Sequence, residues 1–123
     1  TLAWFGGFRC LLSPGSVDPC NSKVVRASAG AIFHVPVEEN VELSSLAKLH
    51  PRIACLDLWG DSIDSPGFAA CTAFVFGNEA RGLPRAQLES LKAGSFTIHG
   101  CGSIESLNLA AVVNMCAYEL HRQ

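Results

Sequence analysis

Three features of this 123-residue chain predict an α/β fold built on a mainly parallel sheet. Short apolar runs of strand character alternate with segments of helical periodicity along its length. Two of the runs, residues 73–76 and 95–98, pass directly into polar loops that carry glycine. Each loop is followed by a helical segment, the order expected where parallel strands are joined by crossovers.

Taken in order, residues 8–12 form a short apolar strand ended by Ser13-Pro14-Gly15. Asp18-Pro19 suits a helix opening, with Asp18 as N-cap and Pro19 at the first helical position, and the helix runs over residues 23–29 to Gly30. Residues 34–37 read as an edge strand, because Pro36 has no N–H for a ladder. Apolar residues at helical spacing predict a helix over 41–49, stopped by Pro51. Residues 53–58 form the next strand, which ends at Trp59-Gly60, and residues 61–68 a polar loop containing Pro66-Gly67. The strand at 73–76, the turn at 77–84 and a helix over 85–91 follow. The strand at 95–98 then leads through a glycine loop to a terminal helix over 107–121. The opening Trp4-Phe5-Gly6-Gly7 has no strand and crossover helix before it, which predicts a single domain over residues 1–123 that lacks its N-terminal part.

Composition narrows the function. A net charge of −2 provides no basic field for autonomous nucleic-acid binding, so any RNA partner must be gripped partly by other means. No apolar run approaches the roughly 20 residues of a membrane span, and the first residues lack the basic region and cleavage site of a signal peptide. The six cysteines form no C-x-x-C pair, and several lie within apolar runs. They read as small buried hydrophobes of a reducing compartment, the cytoplasm or a eukaryotic organelle, and not as a disulfide framework. His99 and Cys101 are two ligand types in close succession, but zinc needs four ligands and no second pair is visible; no metal is expected.

The most informative stretch is residues 100–109, Gly-Cys-Gly-Ser-Ile-Glu-Ser-Leu-Asn-Leu. Its glycines allow close backbone approach to a ligand, and the helix that follows offers unpaired N–H groups. The turn at 77–84, Gly-Asn-Glu-Ala-Arg-Gly-Leu-Pro, has a similar place after the preceding strand. Loops at two strand ends of one sheet predict one ligand crevice. A dinucleotide fingerprint is excluded, because Glu105 stands where the third glycine belongs, and there is no P-loop. No G-x-S-x-G elbow or charged cysteine environment points to nucleophilic catalysis. Taken singly, Ser106 suits a helix cap, Asn108 a solvated first-turn residue, and Glu79 and Arg81 a surface turn. Their occurrence together at two strand ends weakens those simpler readings.

Residues 76–83, Phe-Gly-Asn-Glu-Ala-Arg-Gly-Leu, resemble the second motif of the SpoU-type RNA ribose methyltransferases of the SPOUT superfamily. Ile98 and the run Glu105-Ser106-Leu107-Asn108-Leu109-Ala110 resemble the third motif, and residues 15–31 resemble the segment bridging the first and second. The three matches occur in order over nearly the whole chain. The resemblance implies a domain with a C-terminal trefoil knot that binds S-adenosylmethionine, acts as a homodimer and methylates a ribose 2′-hydroxyl of RNA. The bridging segment is closer to ribosomal-RNA than to transfer-RNA members. By motif position, Gly77, Ile98 and Leu107 bind the cofactor, with Leu58 and Gly60 as further candidates; Glu79, Ser106 and Asn108 are the catalytic members. Arg26 and Ser28 fall at recurrent positions of the bridging segment, where packing or dimer contacts are implied.

Two departures stand out. The family's first motif, with an asparagine and an arginine implicated in activating the hydroxyl, is expected just before Trp4. The third motif usually opens Ile-Pro-Met, whereas Ile98 is followed by His99 and Gly100. A chain without the arginine is expected to be weak or inactive by itself. The alternative is a non-catalytic dimerisation or cofactor-binding module derived from such an enzyme.

Overall fold

The computed structural model describes residues 1–123, which fall into two compact units, Thr1–Leu43 and Ser44–Gln123. Every strand pairing is parallel, as the alternation of elements predicts.

In the first unit, a one-turn helix α1 (Leu2–Phe5) precedes strand β1 (Cys10–Leu11), which pairs with β2 (Val37–Glu38), Cys10 lying opposite Val37. Helix α2 (Ser22–Ala27) starts later than the Asp18-Pro19 signal suggests. Asn21 is the N-cap, its Oδ1 accepting from Lys23 N at 2.9 Å, while Asp18 Oδ1 accepts from Cys20 N at 2.8 Å in a turn of its own. Two short polar side chains compete here for local backbone donors, and the second one opens the helix. Ser28 Oγ donates to the Val25 carbonyl at 2.7 Å, a local packing role. Gly30 then takes a left-handed φ of 83°, and Ala31–His34 form a 3-10 turn that takes up the first residue of the edge strand expected at 34–37. That strand begins only after Pro36, which contributes its carbonyl to Cys10 N at 2.9 Å.

The second unit carries the larger sheet. Helix α3 (Leu43–Leu49), whose first residue closes the first unit, leads into the long strand β3 (Ile53–Ser62). Strand β3 is central in the order β4-β3-β5, flanked by β4 (Ala73–Val75) and β5 (Gly94–Thr97). Strand β3 thus runs four residues beyond its expected end. The supposed polar loop at 61–68 contains its last two residues and a one-turn helix α4 (Pro66–Ala69), capped by Ser65 through Phe68 N. Helix α5 (Arg85–Ser90) follows β4, and α6 (Leu109–Arg122) closes the chain, starting two residues after Leu107.

The core explains why α4 exists. Phe68 is 0% exposed and meets Phe74 and Phe96 at ring-centroid distances of 5.0 and 5.3 Å. Full burial of such a side chain contributes about 1.5–3 kcal/mol, and a polar reading of its neighbours conceals it. Ala54, Leu56, Phe96 and Cys116 complete the cluster, so α6 is packed on the sheet through Cys116, with Val112 and Leu120 beside it. At its C-terminus, Arg122 grips Glu119 through two bonds of 2.7 Å, which holds the Glu119 carboxyl below its ordinary range. No helix is long and apolar enough to cross a membrane.

All six cysteines are free thiols. Burial pushes Cys116 up to about 12 and raises Cys10 and Cys71, whereas a hydrogen bond from Ser103 lowers exposed Cys101. Brief alkylation of the native protein near pH 7.5 is therefore expected to label Cys101 first and to spare Cys55 and Cys116 until denaturant is added. Mass mapping of the alkylated peptides checks this order.

Candidate functional site

The candidate site lies at the carboxyl edge of the second unit's sheet. Because β4 and β5 both run parallel to β3, the turn after β4 and the loop after β5 leave the same edge, on either side of the central strand. The central strand contributes a third element there. Leu56 and Asp61 both pair with Phe96, so residues 57–60 leave the ladder and pairing then resumes at Ser62↔Thr97. Gly60 permits the return: its φ is 132°, and a Cβ placed on it would lie 2.2 Å from the Ser95 carbonyl oxygen. The excursion exposes Leu58 and Trp59, the latter by 72%.

The turn after β4 is closed on itself. Asn78 N donates to the Gly82 carbonyl at 3.2 Å, and Gly82 N to the Asn78 carbonyl at 2.7 Å. Asn78 Oδ1 accepts from Ala80 N and Arg81 N at 2.8 and 3.1 Å, filling the interior of the turn. Gly77 is required by this closure, since a Cβ there would approach the Gly82 carbonyl carbon to 2.8 Å. Glu79 and Arg81 therefore project from a rigid turn with exposed side chains and no ion pair. The atoms crowding Gly77 belong to its own turn, which it helps to shape.

Beyond β5 the character changes. Ile98 is half-buried, and residues 100–107 are exposed and make no backbone–backbone hydrogen bond. Apart from the Cys101 and Ser103 amides, which bond the Cys101 thiol, this stretch keeps its backbone N–H and C=O groups for water or a ligand. A Cβ on Gly100 would meet nothing within 4 Å, so this glycine borders open space. Ile104 and Leu107 add exposed apolar surface to the loop. Asn108, not Ser106, caps α6: its Oδ1 accepts from Ala110 N at 2.9 Å and Ala111 N at 3.3 Å. The expectation of Asn108 as a first-turn residue is corrected accordingly, and Ser106 is left in the loop with a free hydroxyl. Glu79, Ser106 and Asn108 make no hydrogen bonds to one another, so what unites them is their place on loops at and after one sheet edge.

One ion pair ties two of these elements together. Arg85, the first residue of α5, donates from Nη1 to Asp57 Oδ2 at 2.7 Å and from Nη2 to Asp57 Oδ1 at 3.2 Å. Asp57 Oδ1 also accepts from Leu58 N at 2.7 Å, inside the excursion. The guanidinium holds the Asp57 carboxyl below its ordinary range. Neither residue belongs to the motifs that mark the site in the sequence. The available signal was a lone carboxylate ending the apolar run Ile-Ala-Cys-Leu at 53–56, a position that demands a partner.

The first unit has concavities of a different kind. One, of about 360 Å³, is lined by Pro19, Cys20, Val25, Ile32, Phe33, Val35 and Val37, and contains none of the candidate polar residues.

Residues 1–118 match the model of the SpoU rRNA Methylase family. An uncharacterized tRNA/rRNA methyltransferase of Archaeoglobus fulgidus is 31% identical over 127 residues, covering 100% of this chain and 56% of its own length. The chain thus spans about half of that curated relative. Among solved structures, the SpoU methyltransferase AviRb from Streptomyces viridochromogenes, in complex with the cofactor AdoMet, superposes with a TM-score of 0.84 at 24% identity, over 98% of this chain and 51% of its own. A structure concerned with the 2-OH methylation of C/U34 on tRNA gives a TM-score of 0.81 at 27% identity, over 99% of this chain and 82% of its own.

Proposed function

This chain belongs to the SpoU rRNA methylase family, and we propose that its protein transfers a methyl group from S-adenosylmethionine to a ribose 2′-hydroxyl of RNA, ribosomal RNA in preference to transfer RNA. The observation that carries the reading is the carboxyl edge of the second unit, which a pinned excursion, a closed turn and a loop without backbone–backbone hydrogen bonds all leave. An adenine and a methionine tail are largely apolar surfaces with a few hydrogen-bonding points. Exposed Leu58, Trp59, Ile104 and Leu107 and the free backbone of residues 100–107 suit such a ligand in kind. Gly77, Ile98 and Leu107 hold it in this reading, together with the Leu58–Gly60 segment, and Gly77 acts through the turn it closes.

When bound, S-adenosylmethionine supplies an electrophilic methyl group on a sulfonium. The chain's own residues supply position and proton handling. Asn108 Oδ1 is already occupied by two backbone donors, so its amide nitrogen remains to donate to the ribose. Ser106 contributes a second hydroxyl on the same loop. Glu79 is a carboxylate on a rigid turn, suited to orienting the group that takes the hydroxyl proton. A homodimer, a trefoil-knotted C-terminal part and a reducing compartment belong to the same proposal.

The test uses the full-length protein with methyl-labelled S-adenosylmethionine and ribosomal and transfer RNA, followed by digestion to nucleosides. Label on 2′-O-methylribose from ribosomal RNA is the expected outcome, with calorimetric binding of donor and S-adenosylhomocysteine at comparable affinity. Label on the bases would overturn the ribose assignment. Tight cofactor binding without transfer to any RNA would favour the non-catalytic module instead.

A further inference from the structure

We infer that Asp57 and Arg85 are a positioning pair for the methyl donor: their ion pair sets the spacing between the β3 excursion and the turn that carries Glu79. The inference rests on the donor site proposed above and adds two residues to it that touch neither the transferred methyl nor the ribose.

The geometry is that of a strut. Asp57 is the first residue of the excursion, and its side chain is only 7% exposed although it carries a charge. Arg85 starts α5 directly after Pro84, at the far end of the closed turn, and its side chain is 65% exposed. Two guanidinium nitrogens engage both carboxylate oxygens, a fork that fixes orientation as well as distance. Asp57 Oδ1 at the same time holds Leu58 N, so one carboxylate pins the backbone leading to Leu58 and Trp59 and also anchors the segment following Glu79. The excursion's other end is fixed by Gly60 against the Ser95 backbone. Residues 58 and 59 are thus suspended between two anchors while their apolar side chains stay outside. A ligand held by their backbone and side chains depends on both anchors, and only one of them is a charge that substitution can remove. The bidentate geometry also predicts that lysine, a single-point donor, replaces Arg85 incompletely.

The experiment measures S-adenosylmethionine affinity by calorimetry and thermal midpoint for the unaltered chain, Arg85→Ala, Arg85→Lys and Asp57→Asn. A parallel set carries Trp4→Phe, leaving Trp59 as the single tryptophan, so that its fluorescence anisotropy reports the excursion. We expect the donor Kd to rise about tenfold in Arg85→Ala and Asp57→Asn, with Arg85→Lys between them and the unaltered chain. Trp59 anisotropy should fall in the same order at a temperature where every variant is fully folded. A purely structural pair would move the thermal midpoint but leave Kd and anisotropy of the folded protein unchanged, and that result overturns the inference. Failure of the unaltered chain to bind the donor overturns the donor site itself, a distinct outcome.

Discussion

Gly60→Ala is expected to destabilise the second unit by about 3–5 kcal/mol, combining the strain of a glycine-only backbone region with a forced displacement of packed neighbours. The added methyl would sit 2.2 Å from the Ser95 carbonyl oxygen and 2.9 Å from Phe96 N. Both atoms belong to β5, so no side-chain rotation relieves the contact. Either β5 moves, disturbing buried Phe96, or the excursion fails to rejoin the sheet at Asp61. Urea unfolding monitored by circular dichroism reads the loss as a lower midpoint. Gly100→Ala is the control on the neighbouring loop. Its Cβ meets nothing within 4 Å, so its stability should stay within about 0.5 kcal/mol of the unaltered protein. An equal stability loss at both glycines would mean that the excursion is not the constrained element described above.

Asn108 carries the second large effect. Alanine at this position removes both cap bonds, costing about 1 kcal/mol of stability, and also removes the amide donor proposed to meet the ribose. Methyl transfer should drop about 10²-fold, the scale seen when one preorganised donor is deleted from an active site. Asn108→Asp separates the two roles. A carboxylate keeps an acceptor for Ala110 N and Ala111 N and is favoured at the start of a helix, so stability should be retained. It has no N–H to donate, so transfer should remain as low as in the alanine variant. Transfer by Asn108→Asp at the unaltered rate would show that the residue serves only the helix.

The contrast between Asp57 and Asn108 shows what could be read in advance. Asn108 lies in a motif of fixed composition beside glycines, and its importance follows from local chemistry. Asp57 and Arg85 are 28 positions apart, and their pairing exists only because β3 and the start of α5 are brought together. No local pattern encodes that distance. Strand identities were legible because apolar runs at 53–58, 73–76 and 95–98 have no other economical burial. The continuation of β3 to Ser62 was not, since Asp57, Gly60 and Asp61 are poor strand residues and the pairing resumes by virtue of a tertiary register shift. Phe68 was hidden for a related reason: one aromatic among Asp, Ser, Pro and Gly looks like a loop residue until the aromatic pair at 74 and 96 is placed around it. Helix starts erred by a few residues wherever two capping residues compete, as at Asp18 and Asn21.

Backbone hydrogen exchange with and without S-adenosylmethionine tests the donor site most directly, because the crevice is proposed to hold its ligand largely through exposed backbone groups of the loop after β5. Residues 57–60, 77–83 and 98–108 should gain protection together on adding the donor, with the greatest gain in the stretch 100–107. Protection confined to the apolar concavity around Val25 and Phe33, or no change at the sheet's carboxyl edge at saturating donor, would contradict the site.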